Sequence, residues 1–222
     1  MTGWPDTRAD LEELQRRLAI EEPQRWRMPL GHATIGGVFA AFSTRGDPAP
    51  VERAWIVAVA GVARSLVTLE VRTPYEPGYL ALREGAALEA AVRGLDVRPD
   101  VLLVDATGRD HPRGAGLALH LGAVLDVPTV GVTARPLLAE PDGRGRLVLD
   151  GREVGRAVVT RAGARPVCVH AAWRTDVDVA EAVVLAATAG ARTPEPLRRA
   201  RFLARVRRAQ DEGRLSPARA GA

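Results

Sequence analysis

VLLVDATGRDHPRGAGLALHLGAVLDVPTVGVT (Val101–Thr133) holds two apolar runs, VLLV and PTVGVT, on either side of a helix-like stretch, RGAGLALHLGAVLD (113–126). Strands alternating with helices indicate a parallel arrangement. The first run ends directly in a carboxylate, Asp105. In a mostly parallel sheet the carboxyl ends of the strands line the functional crevice. A carboxylate there is costly to bury alone, so Asp105 should meet a metal, a hydrogen-bond donor or solvent. Taken by itself it reads equally well as a helix cap or loop anchor.

Working outward, a helix-like stretch, YLALREGAALEAAVRGL (79–95), precedes this unit. Three β-like runs come before that: ATIGGVFAAFS (33–43), RAWIVAVAG (53–61) and SLVTLEVR (65–72). Their close spacing and turn residues predict an antiparallel meander. Asp6 or Thr7 can cap a first helix that carries Leu11, Leu14 and Leu18 on one face and ends at Pro23. On the other side, LVLDG-REVGRAVVT predicts a hairpin around Asp150–Gly151, and VCVH (167–170) a short strand. Asp176 or Asp178 can cap a helix over 179–190, and Pro194–Pro196 opens an Arg-rich one. The order predicts an α/β fold: a mixed sheet, meander plus parallel strands, with helices on both faces. No repeat or interdomain linker is visible, so residues 1–212 read as one domain and 213–222 as a flexible tail.

Composition narrows the chemistry. Hydrophobic residues make up 46% of the 222, enough for a sizeable core. No apolar run approaches the roughly 18 residues of a membrane span, and the acidic N-terminus is unlike a secretory signal, so a cytoplasmic location and no membrane partner are expected. The lone Cys168 rules out an internal disulfide and a cysteine metal cage. The net charge is +4, and every one of the 31 basic residues is arginine. Chemistry that needs a lysine amine is therefore closed to this chain.

PYEPGYLALREG (74–85), LLVDATGRDHPRGAGLALHLG (102–122) and VPTVGVT (127–133) together resemble the endonuclease V family, in order and spacing across about 60 residues. TPEPLRR (193–199) adds a weaker match. The resemblance implies a ribonuclease H-like fold and Mg²⁺-dependent cleavage near deaminated bases, above all inosine, in DNA or RNA. Mg²⁺ prefers carboxylate, water and phosphate oxygens, and it polarises the scissile phosphate. By the same resemblance, Glu84 and Asp105 match catalytic metal ligands. Tyr75, Pro77 and Gly78 match a strand-separating wedge, whose aromatic ring can stack in place of a base. His111 matches the base pocket, and Arg113, two residues on, is expected among the nucleic-acid contacts. His120 also fits the pattern, although its apolar helical setting suits packing.

The pattern breaks where oxygen or nitrogen ligands are expected. The family's GVD strand reads Gly37-Val38-Phe39 here, and phenylalanine cannot ligate a metal. Asp47 lies eight residues further on, roughly 26 Å along an extended strand, too far to substitute. The family lysine matches Ala134, with Arg135 one place later, and a family histidine matches Trp173. Ala106 and Thr107 replace other family residues, and Glu76 puts a negative charge in the wedge. Cleavage is therefore expected to be lost or strongly reduced. The alternatives are an active Mg²⁺ endonuclease whose ligands come from Asp110, Asp176 or Asp178, and a non-catalytic structural or regulatory protein on the same fold. The Arg-rich segment 192–208 reads either as a phosphate-binding surface or as a solvated helix face.

Overall fold

The structure, a computed structural model, describes residues 3–27, 29, 33–43 and 51–215. The strands are β1 (Ile35–Phe42), β2 (Glu52–Ala60), β3 (Ala63–Val71), β4 (Val101–Val104), β5 (Thr129–Thr133), β6 (Glu140–Pro141), β7 (Arg146–Leu149), β8 (Arg152–Val158) and β9 (Val167–Ala171). The helices are α1 (Arg8–Ile20), α2 (Leu80–Arg93), α3 (Leu117–Leu125), α4 (Val177–Ala186) and α5 (Glu195–Asp211). Asp47 and residues 216–222 of the tail lie outside the described residues. Among the described residues no helix is long and apolar enough to cross a membrane.

All nine strands join one sheet in the order β3-β2-β1-β4-β5-β9-β8-β7-β6. The meander is antiparallel as its spacing requires, and β1, β4 and β5 run parallel to one another. The segments after β5 extend the sheet, since β9 pairs antiparallel with β5 and the β7–β8 hairpin continues from it. The caps are settled by geometry. Thr7 accepts the Asp10 amide at the start of α1, and Asp176 accepts the Val179 amide, 2.9 Å away, at the start of α4.

Side chains alternate across the sheet, and that alternation decides what Asp105 faces. Leu102 and Val104 pack with Val38 in the core beneath α1, α2 and α3. Val101 and Leu103 point to the opposite face, where they meet α4 and Leu197 of α5. Phe39 packs on that second face with Ala41, Val57, Ala200 and Ala204. By the same parity, Phe39 and the residue after Val104 both look toward α5. Val38 pairs with Val104 in the β1–β4 register, so Phe39 and Asp105 stand side by side at the carboxyl end of the sheet.

Gly37 lets α5 come this close. A Cβ there would lie 2.5 Å from the carbonyl carbon of Pro196 and 2.7 Å from the Leu197 nitrogen. Both are backbone atoms at the start of a docked helix and cannot swing aside. Gly37→Ala is expected to cost about 1–3 kcal/mol through overpacking, read as a lower urea midpoint with an unchanged slope.

Candidate functional site

The two carboxylates converge from different layers. Asp105 is where the chain leaves the sheet after β4, and the turn is closed by the Ala106 amide donating to Val104 O at 2.8 Å. Glu84 comes from the first turns of α2, on the other face. The two are close enough for the charge of Asp105 to act on Glu84. Burial pushes the Glu84 carboxyl up to about 8; Arg83 opposes the rise and Asp105 adds to it. Burial raises Asp105 as well, against the pull of Arg201 and Arg205.

Arg201 occupies the space on the far side of Asp105. Its Nη2 donates to Asp105 Oδ2 at 3.2 Å, and its guanidinium carbon stands 5.1 Å from the centre of the Phe39 ring. Arg205, one turn on, stands 5.8 Å from the same ring. Cations over an aromatic face are attracted by the ring quadrupole, so Phe39 seats two arginines where a carboxylate was expected. The residues do not fit Mg²⁺. The ion needs a set of hard oxygens, whereas Phe39 supplies none and Asp105 already faces a cation. Among the described residues no group of three or more His, Cys, Asp or Glu could hold a metal ion.

The residues proposed as substitute ligands are engaged elsewhere. Asp110 is fully buried and accepts the amides of Leu137, Leu138 and Ala139 at 2.7, 2.9 and 2.8 Å. Asp176 caps α4, and Asp178 pairs with Arg156 at 2.8 Å. Trp173 is also away from the carboxylates. Its amide and carbonyl are both hydrogen-bonded to Thr129, at the start of β5 and the opposite rim of the sheet from Asp105, and it packs against Gly122 of α3. The expectation that Trp173 stands at the reaction centre is therefore corrected: β9 runs antiparallel to β5 and carries the residue to the wrong end.

A cleft of about 280 Å³ opens beside Asp105, close to the scale of a small-ligand site. Tyr75, Pro77, Gly78, Asp105, Thr107 and His111 contribute to its lining. Arg135 also lines it, because the chain bends at Ala134 instead of continuing β5; exposed Ala134 itself offers no polar group. Tyr75 is 67% exposed and free to stack. Gly78 has φ of +82°, a conformation only glycine adopts without strain. This turns its carbonyl inward, where it accepts from His111 Nε2 at 3.2 Å and Arg113 Nη2 at 2.6 Å. The Arg113 amide donates to His111 Nδ1 at 3.2 Å. Both ring nitrogens are thus satisfied in the neutral tautomer, and burial pushes His111 down to about 4.

Arg113 differs from the expectation of a nucleic-acid contact. Only 13% of its side chain is exposed, and it donates to Gln15 Oε1 at 2.6 Å while its guanidinium lies 4.5 Å from the Tyr79 ring centre. It braces the Tyr75–Gly78 loop from inside. The Glu76 charge in the wedge is met by Arg8 at 2.5 Å. His120 is buried against Trp4, with ring centres 4.2 Å apart, in a packing position.

Arg201 falls in the Arg-rich segment 192–208, and its pairing with Asp105 was not anticipated from the sequence. A signal was there: Leu197, Arg201, Ala204 and Arg208 recur at helical i, i+4, i+7, i+11 spacing, which puts two arginines on the face α5 turns to the sheet. Arg208 Nη1 donates to Phe42 O at 2.9 Å from that face.

Comparison with known proteins agrees with this architecture. The Endonuclease V family model matches residues 12–202. A protein named endonuclease V from Geotalea uraniireducens is 38% identical over 214 residues, covering 92% of each chain. The crystal structure of endonuclease V from Streptomyces avermitilis superposes with a TM-score of 0.77 at 35% identity, over 97% of this chain and 98% of the other. The catalytic domain of human endonuclease V superposes with a TM-score of 0.80 at 27% identity, over 95% of this chain and all of the other.

Proposed function

For a chain that belongs to the endonuclease V family, we propose a role in recognising nucleic acid that contains deaminated bases, above all inosine, with phosphodiester cleavage lost or strongly reduced. The observation that supports this reading is the Phe39–Arg201 pair beside Asp105: the position that the resemblance matches to a third oxygen ligand carries a ring, and a guanidinium pairs with one of the two remaining carboxylates. A cation already paired with one of two remaining carboxylates opposes the approach of another.

The recognition half is supported by what the cleft retains. Extruding a base costs a few kcal/mol, which interactions in a pocket must offset. Tyr75 can fill the gap left in the stack. Neutral His111, held on both ring nitrogens, gives a fixed wall instead of a mobile one. Arg135 at the rim is placed to meet phosphate.

Incubation of the purified chain with an inosine-bearing oligonucleotide and Mg²⁺ or Mn²⁺ tests both halves. Retarded migration without strand nicking is expected, with weaker retardation of the matched strand lacking inosine. Nicking by the unmodified protein that vanishes in Glu84→Gln and in Asp105→Asn would overturn the loss of cleavage.

A further inference from the structure

We infer that the Arg201 and Arg205 guanidinium groups, seated over the Phe39 ring beside Asp105, form a phosphodiester-binding site that works without a divalent cation. This rests on the proposed recognition of nucleic acid and specifies how the backbone next to the extruded base is held.

Asp105 lines the base cleft and also touches Arg201, so the arginine pair adjoins the cleft. Two guanidinium groups face one carboxylate there. Arg205 makes no hydrogen bond or close ion pair among the described residues, and the one side-chain partner of Arg201 there is Asp105. The Arg201 side chain is 32% exposed, within reach of a ligand arriving from solvent. An excess of fixed positive charge on one exposed and one part-exposed guanidinium, close to an opening of base size, suits an anion. Guanidinium forks match the paired oxygens of a phosphodiester. The ring beneath them restricts their rotation, so less freedom is lost when a phosphate docks. In a metal-dependent site the cation would neutralise that phosphate. Here side chains supply the charge, held on α5 by the same packing that brings Gly37 against Pro196.

The test measures binding of a labelled inosine oligonucleotide by fluorescence anisotropy, in EDTA and in Mg²⁺ at matched ionic strength. Equal affinity in the two is expected. A series of strands, each with one neutral methylphosphonate linkage near the inosine, is then scanned with the unmodified protein. One or two positions should weaken binding about tenfold. In Arg201→Gln/Arg205→Gln those positions should lose their effect. The slope of log affinity against log salt should also fall, by about one for each phosphate that is no longer neutralised. Because the scan uses the unmodified chain, it decides the matter even if the double variant folds poorly. Affinity that rises with Mg²⁺, with the same methylphosphonate profile in both proteins, would overturn the inference and leave inosine recognition standing. Equal binding to inosine and matched strands, with the arginine-dependent profile intact, would sink the recognition and leave the phosphate site standing. No binding at all would remove both.

Discussion

Acidification from pH 6.5 to 4.5 is expected to remove up to about 4 kcal/mol of folding stability, a large share of what a domain of this size holds. Burial pushes His111 and His120 down to about 4 from an ordinary value near 6.5, and it lowers His170 in the same way. A depressed histidine stays neutral in the native protein while the unfolded chain takes up a proton. Its contribution is fully present above pH 6.5 and is lost as pH falls toward the folded value, at about 1.4 kcal/mol per unit of pH for each group. Glu84 acts oppositely. Raised to about 8, it is protonated in the native state across a range where the unfolded carboxyl is ionised. It therefore adds stability as pH falls from 8 to about 4.5, cancelling one of the three histidines. Asp105, also raised by burial, acts in the same direction as Glu84 at the acid end, so the net loss is at most two groups, no more than about 2.7 kcal/mol per unit below pH 6.5. Above about pH 7 the titration of Glu84 outweighs what remains of the histidines, so stability should peak near pH 7 and decline gently toward pH 8. Urea midpoints measured from pH 4.5 to 8 check the curve, and a flat profile below pH 6.5 would refute it. His120→Leu should flatten the acid limb by one group, because both of its ring nitrogens are buried without a partner.

Asp110→Ala is expected to cost about 3–5 kcal/mol. The carboxylate sits at 0% exposure and satisfies three consecutive backbone donors of the segment after β5. Truncation leaves those amides buried without acceptors, each at a cost of about 1–3 kcal/mol, partly relieved as the segment shifts. Asp110→Asn keeps the volume but removes the charge and puts a donor where an acceptor is needed, so an intermediate loss is expected. The effect should reach function, since Leu137 and Arg135 wall the cleft. Weaker binding of the inosine oligonucleotide should therefore accompany the fall in urea midpoint. Hydrogen exchange at Leu137, Leu138 and Ala139 localises the change, and native-like protection there in Asp110→Ala would count against this account.

The α/β architecture was legible because each element declares itself locally. VLLV and PTVGVT are too short and too evenly apolar to be surface helices, and the spacing of Leu11, Leu14 and Leu18 leaves one face for α1. Two strands joined by a helix run parallel, which by itself puts Asp105 at the functional end of the sheet. The absence of an oxygen at Phe39 needed no structure either. What stands around that ring was hidden. Local periodicity reports which face of an element is buried, but not which partner buries it. Arg201 lies 96 positions from Asp105 in the chain, and the two meet only because α5 docks on β1 over Gly37. The direction of β9 was hidden for the same reason, and with it the placement of Trp173 at the opposite rim. Arg113 read as a cation for solvent, yet it points inward because a glycine in a left-handed conformation offers it a carbonyl. The sequence alone determined the fold class, the presence of Glu84 and Asp105, and the apolar ring of Phe39 at the end of the first strand. Only the tertiary structure decided that a pair of arginines stands over that ring, since the meeting of distant segments depends on how whole layers pack.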